Sequence, residues 1–183
     1  MSGGIKTLAL DISTTAIGWA CGEWREEYIR ITGDSRDAIT LEAKQRIDFG
    51  EEKRHKVEGE TEADIFHSCY IIVMGIWIAN DKPQRILMEE SNSSMNMHTT
   101  RLLLGLRGIL IHAFYNADIQ VELLSVSSVR SRTGISTGCK KGTTKYMRRK
   151  IVKQRCIDKC HELGYDVKSD DAADAVLLLL AGE

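Results

Sequence analysis

Two short apolar runs that each end on a carboxylate restrict this fold more than any other feature of the sequence. Residues 7–11 read TLALD and residues 85–89 read RILME. A short, nearly continuous apolar run reads as a strand buried on both faces. A carboxylate inside such a strand would be a buried charge without a partner, so Asp11 and Glu89 belong at strand ends. Residues 17–24 (IGWACGEW) have the length of another strand, entered through Ser13, Thr14 and Thr15. Small hydroxyl residues favour turns, and the two stretches should pair as a hairpin.

From residue 61 the period changes. Ile65, Phe66, Cys69, Tyr70, Val73, Ile76 and Trp77 recur at three- and four-residue spacing, and Pro83 follows. This predicts a helix from Thr61 or Glu62 to about Asn80. A second helix is expected over roughly 96–116, with Leu103, Leu106, Leu110 and Phe114 on its apolar face. Gly105 and Gly108 inside it cost about 1 kcal/mol each, which points to close approach by a neighbour, another subunit among the candidates. Residues 119–124 form a further strand, and Ser125 to Ser128 supply caps for a short helix. A loop with Gly134, Gly138 and Gly142 leads to a basic helix over about 143–163. Asp170 and Asp171 open a last helix through Leu180, where acids suit the helix dipole. Residues 25–60 are the least readable, with strands expected near 28–32 and 39–49. Early strands followed by alternating helix and strand imply an α/β fold, a mixed sheet of about five strands flanked by helices on both faces. The 183 residues suit a single domain with a real core.

Residues 1–6 carry no apolar leader, and no run approaches the roughly 20 apolar residues of a membrane span. A cytoplasmic location is the expectation. Five scattered cysteines argue against a disulfide framework. Cys156, Cys160 and His161 lie within about one helical turn; they could be zinc ligands, but without a second ligand cluster helix packing accounts for them better.

A net charge of −1 conceals an asymmetry. Between Val129 and Arg155 the chain has ten bases and no acid: Arg130, Arg132, Lys140, Lys141, Lys145, Arg148, Arg149, Lys150, Lys153 and Arg155. A solvated helix face explains such a block, and so does a phosphate-backbone partner, since clustered Lys and Arg release condensed counterions on binding.

The carboxylates carry the chemistry. Asp171 and Asp174, three apart at a helix start, share a face. Acids brought together at buried edges repel unless a cation lies between them, and hard divalent ions with oxygen ligands meet that need. Two such ions about 3.5–4 Å apart can activate water and stabilise the leaving oxygen of a phosphodiester.

The ordered motifs resemble a known family. Residues 8–20 (LALDISTTAIGWA), 86–90 (ILMEE) and 171–176 (DAADAV) are similar to the three nuclease motifs of RuvC-type Holliday junction resolvases, and LLLGLRGIL resembles the helix after the second motif. The resemblance spans nearly the whole chain apart from residues 25–60. It implies an RNase H-like fold, two Mg²⁺ ions with Mn²⁺ able to substitute, and a homodimer that nicks two strands of a four-way DNA junction. It makes Asp11, Glu89, Asp171 and Asp174 the metal ligands, with Glu90 and Asp170 secondary. It matches Arg130 to a DNA-contacting base and Lys141, or its neighbour Lys140, to a lysine near the scissile phosphate. Arg132, Lys145, Arg148 and Arg149 complete the expected DNA surface.

Asn92 stands where the family often carries a base-stacking aromatic, which leaves flaps and forks open as substrates beside the junction. Met95, Met97 or His98 could act as wedges, although loop and helix-start positions account for them. DISTT also resembles the first phosphate loop of actin-like and sugar-kinase proteins, but a second such loop is missing. The same motifs also leave room for RNA processing or for DNA binding without catalysis.

Overall fold

The computed structural model describes residues 4–24, 47–90 and 96–182. Strands β1 (Ile5–Ile12), β2 (Ala16–Trp24) and β3 (Ile47–Lys53) come first. Then follow α1 (Glu62–Ala79), β4 (Arg85–Glu90), α2 (Met97–Tyr115), β5 (Gln120–Ser125), α3 (Val126–Arg132), α4 (Lys145–Glu162) and α5 (Asp170–Ala181). The sheet order is β3-β2-β1-β4-β5. β1 pairs antiparallel with β2 and parallel with β4, and β4 pairs parallel with β5. The expected mixed five-stranded sheet is therefore present. β3 overlaps the end of the strand expected near 39–49; the rest of that strand and the one near 28–32 fall outside the described residues.

Local chemistry sets the element ends. Ser13 Oγ accepts from the Ala16 amide (3.0 Å) and donates to the Ala16 carbonyl (2.8 Å), closing the β1–β2 turn. Thr61 and Asp64 form a reciprocal capping box on α1. Asn96, Ser125, Thr144 and Ser169 cap α2, α3, α4 and α5 without the reciprocal contact, each side chain accepting from an amide three residues on. Arg54, just after β3, pairs with both oxygens of Glu60 and donates from Nε to the Thr14 carbonyl at 2.7 Å. That ties the β3–α1 connection to the β1–β2 turn.

Side-chain alternation divides the core in two. Leu8, Leu10, Ile86 and Met88 face α1 and α2, where Cys69, Val73, Leu106, Leu110 and Phe114 meet them. Ala9, Ala20 and Leu87 face α3, α4 and α5. On α2, Leu106, Leu110 and Phe114 are buried as expected, and only the first position differs, Leu102 being buried in place of Leu103. α1 corrects another expectation. Its 18 residues, at mean hydropathy 1.3, are long and apolar enough to cross a membrane by length and composition, alone among the described helices. In this fold its Cys69, Val73 and Ile76 pack onto the sheet.

The two α2 glycines separate in role. A Cβ on Gly105 would lie 2.8 Å from the Phe66 ring of α1, whereas one on Gly108 would meet nothing within 4 Å. On the opposite face of the sheet the contact is tighter still. A Cβ on Gly18 of β2 would lie 2.0 Å from the Asp171 carbonyl oxygen. Glycine there lets the first turn of α5 rest on the sheet backbone. Gly18→Ala is therefore expected to destabilise the fold by at least about 1–3 kcal/mol, because backbone must move. Gly75→Ala, in open space inside α1, should stabilise it by about 1 kcal/mol through helix propensity. Urea unfolding of both variants checks the pair of signs.

Candidate active site

Strand register and parity bring the motif acids together. Leu10 of β1 is paired with Met88 of β4, so Asp11 and Glu89 follow side by side at the carboxyl ends of parallel strands. By alternation both share the face of Ala9 and Leu87, the face covered by α5. Asp11 is also the register partner of Gly18, the residue on which Asp171 rests. The small residues Ala172, Ala173 and Ala175 on α5 are buried, which keeps helix and sheet close. Asp171 and Asp174 thus reach the strand ends from above.

Electrostatics show the four acids acting on one another. Burial pushes the Asp11 carboxyl well above the usual range, and the charges of Asp174, Glu89 and Asp171 push it further; Lys153 opposes them. Burial and Asp174 raise Glu89 to about 7, against the pull of Arg130, Arg107 and Lys153. Burial also raises Asp174, while a hydrogen bond from the Cys156 thiol and the charges of Lys153 and Arg130 hold it down. Burial, with the same contact, drives the Cys156 thiol up to about 12, a neutral donor. Glu89, Arg130, Cys156 and Asp174 line one small pocket.

The basic block divides into inward and outward groups. Lys153 of α4 pairs with Asp170, and its Nζ is 4.0 Å from Asp171. With Arg130 it supplies positive charge at the carboxylates. Lys140 and Lys141 lie exposed in the α3–α4 loop. Arg132, expected on DNA, donates to the Ala181 carbonyl at 2.6 Å and so ties α3 to the end of α5. Arg155 donates to the Ser136 and Gly138 carbonyls at 2.7 and 2.8 Å, fastening the glycine loop to α4. Lys145, Arg148, Arg149 and Lys150 are exposed.

Three supporting residues carry little signal in the sequence. Arg107 of α2 donates to the Glu89 carbonyl and steadies the strand end; its one sequence signal is a charge within an apolar helix. Lys153 is one of ten bases, and Cys156 has the spacing of a zinc ligand. In the fold Cys156 and Cys160 are buried, Cys160 Sγ lies 3.6 Å from the Ala173 carbonyl, and a His161 ring nitrogen is 3.0 Å from the Val167 carbonyl. These contacts are those of helix packing. Asn92 and Met95 fall outside the described residues. Met97 is 85% exposed at the start of α2, and His98 faces Glu62 at 3.8 Å.

Comparison with known structures places this arrangement. The chain matches Thermus thermophilus RuvC in complex with Holliday junction substrate at a TM-score of 0.63 and 11% identity, covering 97% of this chain and 92% of that one. A second Thermus thermophilus RuvC structure gives 0.61 at 12% identity, with the same coverage. The fold is that of RuvC. Less closely, the RuvC-like architecture extends to the yeast mitochondrial Holliday junction resolvase, with a TM-score of 0.50 and 13% identity over 97% of this chain and 78% of that one. No protein-family model and no curated protein matches the sequence. The RNase H-like expectation thus holds at the level of fold.

The donor set fits hard divalent ions. Its four carboxylates come from three elements, and Asp11, Glu89 and Asp174 are each raised by burial and by the charge of a neighbouring acid. Among the described residues no three acidic, histidine or cysteine side chains stand close enough to ligate an ion as they are placed.

This repulsion has a pH signature. An acid with a raised folded pKa contributes stability that is complete below its unfolded value and lost as pH rises through the folded one. For Glu89 that window runs from 4.5 to about 7. Metal-free protein should therefore lose thermal stability across this interval. Asp11→Asn, which removes one repelling charge at constant size, should raise the melting temperature at pH 8 by a few degrees, about 2–4 °C per kcal/mol for a chain of this size. Calorimetry in EDTA checks both; a lower melting temperature for Asp11→Asn would contradict the repulsion.

Proposed function

We propose that this protein is a divalent-metal-dependent endonuclease that cleaves branched DNA, resolving four-way junctions by paired nicks. The observation that carries this reading is the convergence of Asp11, Glu89, Asp171 and Asp174 beside exposed bases from a stretch, residues 129–155, that contains no acid. Asp11, Glu89, Asp171 and Asp174 would hold two Mg²⁺ ions, or Mn²⁺ in their place. When bound, the ions supply water activation and stabilisation of the leaving oxygen.

The chain's own groups do the rest. Arg107 fixes the Glu89 backbone, and the Cys156 thiol orients Asp174 by donating to it. Arg130 and Lys153 place positive charge at the rim, where a phosphate would bring further negative charge. Lys153 would add its charge beside the acids, while Lys141, or its neighbour Lys140, keeps the role near the scissile phosphate that the resemblance implies. Lys140, Lys141, Lys145, Arg148 and Arg149, all exposed, form the outer surface for the DNA backbone. One of the similar structures holds RuvC in complex with Holliday junction substrate, which supports a branched partner for the same fold.

Cutting two strands calls for two sites, and α2 offers a surface for pairing. Leu104 and Tyr115 are exposed at 54% and 76% on one face, and nothing lies within 4 Å of a Cβ on Gly108 between them. An apolar helix face with a central glycine suits close approach by the same helix of a second copy, and the homodimer belongs to this proposal. So does action on DNA in the cytoplasm.

In Mg²⁺, a four-way junction should be nicked symmetrically on two strands, faster than a flap or a splayed fork. Asp11→Asn and Asp174→Asn should each lower cleavage by at least roughly a hundred-fold, since metal stabilisation of the transition state is worth several kcal/mol. Undiminished cutting by both variants would remove the catalytic assignment. Leu104→Glu should convert dimers to monomers in sedimentation and uncouple the two nicks; a dimer that persists contradicts the α2 interface.

A further inference from the structure

The first turn and a half of α4 is exposed on every side. Lys145, Tyr146, Met147, Arg148, Arg149 and Lys150 are all open to solvent, and burial resumes at Val152. This part of the helix therefore stands away from the body. Its charge explains four of these residues but not Tyr146, which is 75% exposed, or Met147, which is 47% exposed. An aromatic ring on the projecting, acid-free start of this helix gains nothing from the protein core. Among the described residues the ring pairs are Phe49 with Tyr165 and Trp77 with Phe114. Tyr146 joins neither.

Helical geometry relates this ring to the carboxylates. Seven residues separate Tyr146 from Lys153, which is two turns less about 20° at 3.6 residues per turn. The two therefore lie on one face, about 10 Å apart along the axis at 1.5 Å per residue. Arg149 and Lys150 lie between them on the same face. At its inner end Lys153 pairs with Asp170 and stands 4.0 Å from Asp171. The face thus runs from the acid cluster, past two exposed cations, to an exposed ring.

From this juxtaposition we propose that the α4 face bearing Tyr146, Arg149, Lys150 and Lys153 is the track for the strand being cut, with Tyr146 stacking on one of its bases. The inference rests on the branched-DNA nuclease reading and adds to it an element and a contact. Cations that follow a backbone, with aromatic rings on which bases stack, are how proteins hold single strands. At about 3.4 Å per nucleotide along a strand, a track of about 10 Å covers about three nucleotides. The stacked base is therefore about three nucleotides from the cut phosphate. A base can reach the ring only where it is unpaired or splayed, so Tyr146 favours branch points over uniform duplex.

The test uses the full chain carrying Asp174→Asn, so that DNA stays intact, and a four-way junction with 5-iododeoxyuridine at single positions one to six nucleotides from the cut. Ultraviolet cross-linking followed by mass spectrometry should recover Tyr146, most strongly from positions two to four. Tyr146→Ala should weaken junction binding about ten-fold, within the 1–3 kcal/mol range for loss of one base–aromatic stack. It should leave uniform duplex binding within about two-fold, and Tyr146→Phe should restore junction affinity. Arg149→Glu with Lys150→Glu should weaken both DNAs and flatten the salt dependence. Equal junction affinity for Tyr146→Ala, with cross-links elsewhere, overturns the track while leaving the nuclease reading standing. Failure of the parent protein to bind branched DNA overturns both.

Discussion

The approach of α5 to the sheet at Gly18 is the contact on which the site depends, because it carries two carboxylates to within reach of two others. Like charges at the ends of buried strands oppose that approach. What holds them is short-range and specific. Gly18 and the α5 alanines remove the side chains that would keep helix and sheet apart, and Lys153, Arg130 and the Cys156 thiol offset part of the charge. The raised Asp11, Glu89 and Asp174 carboxyls are the portion left unbalanced. An arrangement that stores repulsion is suited to a cationic ligand, and four oxygen-bearing acids select a hard one.

The same packing explains the division of the basic block. α4 must lie beside α5 to bury Val152, Cys156 and Cys160, and that places Lys153 at the acids. One and a half turns earlier the helix has left the body, so its bases face solvent. Two arginines of the block are internal fasteners, Arg132 on the end of α5 and Arg155 on the glycine loop. A run of like charge in sequence has thus become three things in space: structural donors, a counter-charge at the site, and an open surface.

Much of this was legible in the chain. Strand runs ending in Asp11 and Glu89, the helical period from Thr61 and the capped starts at Asn96 and Ser125 are local signals, and local chemistry decides them. The face each acid occupies also follows from strand parity. Which glycine serves packing did not: Gly105 and Gly108 look alike in sequence, and only the position of Phe66 separates them. Arg107, Lys153 and Cys156 were obscure for the same reason. Their roles depend on the crossing of α2 over β4 and of α4 along α5, and no periodicity within one helix encodes a crossing. The burial of Leu102 in place of Leu103 at the start of the α2 stripe has that origin too.

The central claim is that Asp11, Glu89, Asp171 and Asp174 form one cation site at the meeting of β1, β4 and α5. Anomalous diffraction from crystals soaked in Mn²⁺ tests it most directly. The account requires manganese peaks bounded by these four carboxylates, lost in Asp11→Asn crystals treated identically. Manganese absent from this cluster, or bound instead at Cys156, Cys160 and His161, would contradict it.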